Sequence, residues 1–89
     1  MIHCENGVCR IEGPLTADTA GGILRALQAP LAQGPVRLDL GGVDEVDSAA
    51  VALVLSARRA AKHPFELVNP PASFATLAEL YGVSDLLPL

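Results

Sequence analysis

The central segment of the chain, residues 36–55, reads VRLDLGGVDEVDSAAVALVL and changes its periodicity once. Its first five residues alternate apolar and charged side chains, which is typical of a β-strand with one buried face. Gly41-Gly42 is predicted to close this strand. Good helix formers then continue from Ala49 to Lys62 behind a capping residue, Asp47 or Ser48, so this region is the most strongly predicted helix.

Two short segments upstream are predicted to form a hairpin. They are Ile2–Glu5 and Val8–Glu12, and the pair between them, Asn6-Gly7, is typical of a two-residue type I′ turn. Such a turn places Cys4 opposite Cys9 in a non-hydrogen-bonded pair, where the side chains come close enough for a bridge. We nevertheless predict free thiols, because a reducing compartment disfavours disulfides.

A helix is predicted between the hairpin and the central strand. Gly13-Pro14 is predicted to end the second strand, and Thr16 is a suitable helix N-cap. Gly21-Gly22 inside the helix costs about 1 kcal/mol per residue relative to alanine, so the pair either permits close backbone approach or weakens that turn. Pro30 is predicted to kink or end the helix.

A last strand and helix follow the central helix. Phe65–Asn69 alternates as a strand, Pro70-Pro71 can open a helix, and Gly82 is predicted to cap it. The buried stripe of this helix is predicted to consist of Phe74, Leu77 and Tyr81. The order is thus β-β-α-β-α-β-α. We predict an α/β fold with a mixed four-stranded sheet and helices packed on it, in one domain over residues 1–89.

Composition and motifs argue against several functions. A net charge of −4 with 3% aromatic residues disfavours nucleic-acid binding. The sequence has no phosphate-binding loop, and neither His3 nor His63 has a second ligand at metal-binding spacing, so no catalytic residue, metal or cofactor is predicted. Neither a membrane-spanning apolar run nor a signal peptide is recognisable, which predicts a cytoplasmic protein without direct membrane insertion.

The central segment resembles the signature of STAS domains, the anti-sigma-factor-antagonist family. The matching features are a strand ending in Asp39-Leu40, the loop Val43–Ser48, and a helix start of small residues. Within that family the chain is similar to the single-domain STAS subunits of Mla lipid-transport ABC complexes. Those subunits share a helix start like Val46–Ala50 and an ending like Leu77–Gly82 followed by Leu86-Leu87-Pro88.

This resemblance implies a non-catalytic protein that binds the ATPase subunit of an ABC lipid transporter and lies beside the inner membrane through that complex. Two departures concern the signalling members of the family. Their loop reads Asp-Ser-Ser-Gly with the second serine phosphorylated, but Ala49 occupies that position here, and Thr16 stands where an acidic residue is usual. The alternative is an anti-sigma-factor antagonist with Ser48 phosphorylated by a serine kinase.

Helix geometry separates the central helix into two faces. At 100° per residue, a core arc gathers Ala50, Leu53, Val54, Ala57 and Ala61. The opposite arc predicts a docking strip with an exposed apolar anchor at Leu55. The predicted partner-binding residues are Asp47, Ser48, Val51, Ala52, Leu55 and Arg59. The tail Leu86–Leu89 is a second predicted apolar surface.

The segment before the central helix allows a further hypothesis, anion binding, against which its acidic residues argue. The segment from Gly41 to Ser48 precedes a helix N-terminus and could bind a nucleotide or lipid headgroup there. Asp44, Glu45 and Asp47 would repel such anions, and their spacing does not match a cation site. We predict that these acids serve as helix caps and solvated surface.

Overall fold

A computed structural model describes residues 1–86 of the chain. The expectation for the tail Leu86–Leu89 therefore falls almost entirely outside the described residues. The strands and helices are β1 (Ile2–Glu5), β2 (Val8–Leu15), α1 (Ala17–Gln33), β3 (Val36–Val46), α2 (Ser48–Ala60), β4 (Phe65–Val68) and α3 (Ala72–Leu80), followed by a 3₁₀ turn at Ser84–Leu86.

The four strands form one mixed sheet in the order β1-β2-β3-β4, which confirms the predicted fold class. β1 and β2 are antiparallel, whereas β2, β3 and β4 are parallel neighbours. Each parallel pair needs a crossover, and α1 and α2 provide the two crossovers. Both helices therefore start at the carboxyl edge of the sheet and run side by side in the same direction.

The helices cover only one face of the sheet. Side chains that alternate along β2 and β3, such as Ile11 and Leu38, are fully buried beneath the helices, while Arg10 and Arg37 on the opposite face are exposed. The helices contribute to the same core. The buried members of α1 and α2 are Ile23, Leu27, Leu31, Ala50, Val51, Leu53, Val54 and Ala57. Four of the five core positions predicted for the central helix are thus buried, and the fifth, Ala61, directly follows α2 and is partly buried.

β2 and β3 are longer than the sequence predicts. Gly13-Pro14 does not end β2, and Gly41-Gly42 does not end β3, because both pairs remain hydrogen-bonded within the sheet through irregular pairing. Arg10 pairs with Asp39, and Glu12 with Gly42, so β3 carries an extra residue between the two pairs. A glycine fits this bulge, because a Cβ on Gly42 would lie 3.0 Å from the Ile11 carbonyl oxygen.

The N-terminal hairpin has the predicted register, with Cys4 opposite Cys9 and Glu5 opposite Val8. Asn6 and Gly7 both have positive φ angles, 51° and 80°, as a type I′ turn requires. The prediction of free thiols is wrong for this structure, in which Cys4 and Cys9 form a disulfide. The physical reason is the pairing itself, since it brings the two side chains together on one face of the ribbon.

The observed ends of α1 and α3 agree with the predicted caps at Thr16 and Gly82, whereas Pro30 does not end α1. α1 begins behind Thr16 as predicted, with the Thr16 N–H donating to Oγ1 of Thr19 at 3.0 Å. It does not end at Pro30 but continues to Gln33. At the end of α3, Gly82 has a φ of 68°, and the Val83 N–H donates to the Ala78 carbonyl at 3.0 Å. This is the predicted glycine cap.

Candidate functional site

Asp47 links the starts of the two crossover helices. Its Oδ1 accepts a hydrogen bond from the N–H of Ala49 at 2.8 Å, which caps α2. Its Oδ2 accepts from the N–H of Ala17 at 3.1 Å, which caps α1. A carboxylate is suited to this position because both helix N-termini carry partial positive charge. Asp47, a predicted partner-binding residue, therefore has a structural role within the chain, because it caps both helices.

Ser48 is the first residue of α2 and is exposed. Because Asp47 provides the cap, the Ser48 side chain is not needed to start the helix. Within residues 1–86, the side-chain hydrogen bonds at the start of α2 are accepted by the Asp47 carboxylate and not by the Ser48 hydroxyl. The hydroxyl is therefore available to a partner or to a modifying enzyme at the rim of an apolar surface.

That surface is a shallow groove of about 390 Å³ between α2 and the end of α3. We call it the α2–Tyr81 groove. Its lining is mostly apolar and comprises Ser48, Ala49, Val51, Ala52, Leu55, Tyr81 and Val83. Tyr81 is 55% exposed, so a large aromatic side chain is accessible at one wall. Such a surface, with small residues on one side and an aromatic residue on the other, suits protein contact.

The structure brings most of the predicted partner-binding residues to one face of α2. Ser48, Ala52 and Arg59 are exposed, as a docking strip requires. Val51 is only 3% exposed and belongs mainly to the core, although it also contributes to the lining of the groove. Its angle on the helix lies between the two arcs. Leu55 is half-buried against the core rather than fully exposed.

Tyr81 lines the α2–Tyr81 groove, although the sequence pattern placed it in the buried stripe of the last helix. Phe74 is fully buried and Leu77 partly buried, but Tyr81 does not continue their stripe. α3 ends at Leu80, and the backbone turns at Gly82, which places Tyr81 beside α2. The signal was present in the sequence, because a glycine cap at Gly82 means that helical spacing stops before it.

A second, smaller groove lies between α1 and α2. It has a volume of about 190 Å³ and we call it the α1–α2 groove. Its lining consists of Ala20, Gly21, Leu24, Ala49, Ala52, Leu53 and Ser56. Ala49 and Ala52 belong to both grooves, so these small side chains form a low ridge between two apolar depressions.

The acids of the central segment are separated by the fold. Asp39 lies on the open face of the sheet, where it accepts from the N–H of Gly41 at 2.8 Å, from Asn69 at 3.2 Å and from Arg10 at 3.0 Å. The Gly41 hydrogen bond, opposed in part by burial and assisted by Asn69 and Arg10, lowers the pKa of Asp39 below its ordinary value of 3.8. Asp39 therefore stabilises the β3 bulge.

The hypothesis of an anion-binding loop at Gly41–Ser48 does not fit this geometry. Residues up to Val46 belong to β3 and pair with β2 rather than forming a phosphate-cradling loop. The cap position of α2 is filled by the Asp47 carboxylate, which would repel an anion there.

A larger cavity of about 530 Å³ lies at the opposite edge of the sheet. Its charged lining residues, Arg37 and Glu66, pair with each other, with 3.5 Å between Nε of Arg37 and Oε2 of Glu66.

Comparison with known families gives a match over residues 2–88 to the family described as Mlab, STAS domain. The chain belongs to this MlaB-type STAS family. No curated protein matches the chain. The family match extends over nearly the entire sequence, including both grooves and the paired helix cap.

Solved structures support the fold. The unphosphorylated form of the anti-sigma factor antagonist SpoIIAA matches with a TM-score of 0.69 and 18% sequence identity, over 90% of this chain and 81% of that chain. The crystal structure of Mglu matches with a TM-score of 0.61 and 21% identity, over 81% of this chain but 20% of that chain. At these identities the similarity establishes the shared fold.

None of the helices within residues 1–86 combines the length and apolar character needed to cross a membrane.

Proposed function

We propose that this MlaB-type STAS chain is a non-catalytic subunit that binds the ATPase of an Mla-type ABC lipid transporter through the α2–Tyr81 groove. The family match over residues 2–88 supports the partner class. The apolar groove beside the exposed start of α2 is the observation that carries the location. In this assignment the chain is held on the cytoplasmic side of the inner membrane by its partner and does not insert into lipid.

The residues of the groove and of the neighbouring part of α2 contribute to binding in different ways. Ala49 and Ala52 allow a partner backbone to approach α2 closely, and Tyr81 offers a large surface whose burial contributes about 1.5–3 kcal/mol. Ser48 can donate or accept one hydrogen bond at the rim, and Arg59 gives directional pairing with an acidic group. Asp47 contributes indirectly, because its two hydrogen bonds fix the start of α2.

Affinity capture of the ATPase tests this proposal. The tagged chain is incubated with lysate of a Gram-negative bacterium that expresses the Mla transporter, and bound proteins are identified by mass spectrometry. Ala52→Arg introduces a long charged side chain on the exposed ridge and is expected to abolish capture of the ATPase. Ala26→Arg is the matched control, because Ala26 is exposed on α1 and lines neither groove.

Two results would contradict the proposal. One is the absence of any ABC ATPase among the proteins bound by the unmodified chain. The other is equal recovery of the ATPase with Ala52→Arg and with Ala26→Arg, which would move the binding site away from this surface. Circular dichroism of both variants confirms that the fold is retained.

A second candidate function is that of an anti-sigma-factor antagonist controlled by phosphorylation of Ser48. The exposed Ser48 side chain, which the Asp47 cap leaves unused, and the shared fold with SpoIIAA favour it. Incubation with an anti-sigma serine kinase and ATP is then expected to add one phosphate, detected as a mass shift. A Ser48→Ala protein that gains the same phosphate would exclude this site.

A further inference from the structure

The Cys4–Cys9 disulfide joins an exposed residue to a fully buried one. Cys4 is exposed on β1, whereas Cys9 on β2 is 0% exposed and belongs to the core. Thiol–disulfide exchange begins when a thiolate attacks one of the two sulfur atoms, and access decides which sulfur is attacked. Because Cys9 is closed to an incoming thiolate, the reaction begins at the sulfur atom of Cys4.

A cavity of about 430 Å³ lies against Cys4. It is bounded on one side by the hairpin turn, Asn6-Gly7, and on the other by Pro30 and Gln33 near the end of α1. A small thiol therefore has room beside the exposed end of the disulfide.

β1 buries little surface of its own. It is an edge strand of four residues, and among residues 1–86 it pairs with β2 alone. Ile2 is partly buried against the core. His3, Cys4 and Glu5 are exposed. Segments with so few buried apolar contacts open locally at low cost, so the disulfide is the main restraint on β1.

A short ladder of hydrogen bonds also joins β1 to β2. The Glu12 N–H donates to the Met1 carbonyl at 2.8 Å, and every second pair along an antiparallel ribbon is bonded in this way. The N–H groups of His3 and Glu5 therefore bond to β2, and Cys4 lies between them. These two N–H groups report whether β1 is in place.

The rest of the sheet does not depend on β1. β3 is the other neighbour of β2 and pairs with it from Val8 to Leu15. The Arg37 N–H on β3 donates to the Gly7 carbonyl at 2.8 Å, which fixes the far side of the hairpin turn. β1 can therefore move away about Asn6-Gly7 while β2, β3 and β4 stay together.

We propose that Cys4–Cys9 is a thiol–disulfide exchange site for a small thiol, and that its opening frees β1 from the sheet. The thiolate bonds to the Cys4 sulfur, and the electron pair of the broken bond leaves with the Cys9 sulfur, which takes up a proton. A second thiolate attacks the reagent sulfur of this mixed disulfide, and Cys4 leaves as a thiolate that is protonated. Two small thiols are thus oxidised to one disulfide, and a small disulfide reverses both steps.

Amide hydrogen exchange followed by NMR tests the release of β1. The oxidised chain is compared with the chain in excess glutathione, a small thiol. Reduction is expected to lower the protection of the His3 and Glu5 amides at least about tenfold more than that of the Leu38 amide. Leu38 is buried on β3 and pairs with β4, so it reports any loss of stability that the whole domain shares.

An equal change at all three amides would overturn the proposal, because the disulfide would then stabilise the domain as a whole. Protection that glutathione leaves unchanged would overturn it too. Cys4→Ser is the control for the reagent, since its His3 and Glu5 amides are expected to exchange rapidly with or without glutathione.

A matched pair of variants tests which sulfur accepts the thiol. Cys9→Ala keeps the thiol of Cys4, Cys4→Ala keeps the thiol of Cys9, and neither variant can form the bridge. Each folded variant is incubated with oxidised glutathione, and intact-mass spectrometry follows the addition of glutathione. Cys9→Ala is expected to react at least about tenfold faster, because its remaining thiol is exposed. Equal rates, or a faster reaction of Cys4→Ala, would overturn the assignment of Cys4.

These experiments use the purified chain and do not involve the ATPase. Among the described residues that line the α2–Tyr81 and α1–α2 grooves, neither cysteine occurs. A β1 strand that stays in place after reduction therefore overturns the redox proposal and leaves the ATPase proposal standing. Conversely, a failure to capture the ATPase leaves the exchange of the β1 amides as an independent measurement.

Discussion

At the scale of single residues, one carboxylate holds two helices. Asp47 uses one oxygen for α2 and the other for α1, so its removal affects both helix starts at once. The sequence indicated a cap at this position for α2 alone. The second bond joins residues thirty apart in sequence, and no local pattern predicts which distant N–H will reach the free oxygen.

Two substitutions of Asp47 are expected to lower the free energy of unfolding by different amounts. Asp47→Ala removes both hydrogen bonds and should destabilise the protein by about 2 kcal/mol, since each cap contributes about 1 kcal/mol. Asp47→Asn keeps one oxygen acceptor and should lose about half of that. Urea unfolding measures both values. Asp44→Ala, an exposed acid on β3, is the control, and an equal loss there would contradict the capping role.

Asp39 is expected to make stability fall in acid. Because its pKa in the folded protein is lowered from 3.8, the unfolded chain takes up the proton first as pH decreases. The contribution of Asp39 to the free energy of unfolding is therefore fully present at pH values above its pKa in the unfolded chain. It is lost as pH falls through the pKa of Asp39 in the folded protein. Asp39→Asn removes the titration, so its unfolding free energy should vary less between pH 5 and pH 2 than that of the parent, as measured by urea unfolding. An identical pH profile would contradict this assignment.

At the scale of elements, the bounds of β2 and β3 were the least accessible from sequence. Glycine and proline pairs indicated strand ends, but pairing with a neighbouring strand carries the backbone through Gly13-Pro14 and Gly41-Gly42. These interruptions become bulges because both neighbours continue hydrogen bonding around them. Local signals predict element type here, whereas element length depends on partners that are distant in sequence.

Glycines in helices and bulges are expected to respond in opposite ways to alanine. Gly22→Ala should raise the free energy of unfolding by about 1 kcal/mol, because a Cβ there makes only an ordinary contact with Arg25 at 3.9 Å. Gly42→Ala should lower it, since the new Cβ would lie 2.9 Å from Cγ of Glu12 and 3.0 Å from the Ile11 carbonyl oxygen. Thermal unfolding compares the two, and a stabilised Gly42→Ala protein would contradict the bulge geometry.

At the scale of the whole molecule, the order of elements along the chain and the mixed sheet with helices packed on it were predicted and confirmed, because the alternation of periods along the chain permits few arrangements. The candidate site was predicted less completely. The exposed positions Ser48 and Ala52 follow from helix angles alone. Tyr81 could not be placed beside them, because the groove depends on how α3 packs against α2.

Reduction of the Cys4–Cys9 disulfide is expected to lower the free energy of unfolding by about 2 kcal/mol, the value for a short closed loop. The measurement is urea unfolding with and without a dithiol reductant. Cys4→Ser is the control, because it lacks the bridge and Cys4 is exposed, so reductant should leave its stability unchanged. A parent protein that is equally stable in both conditions would show that the disulfide contributes nothing.

The layer of helices on a single face leaves the other face of the sheet free for attachment. That face carries paired charges such as Arg37–Glu66 and Arg10–Asp39, and it lies opposite both grooves. A fluorophore or surface tether placed at Glu66 would therefore leave α2 accessible. Immobilised in this way, the chain can serve as an oriented bait whose binding kinetics report only events on the helical side.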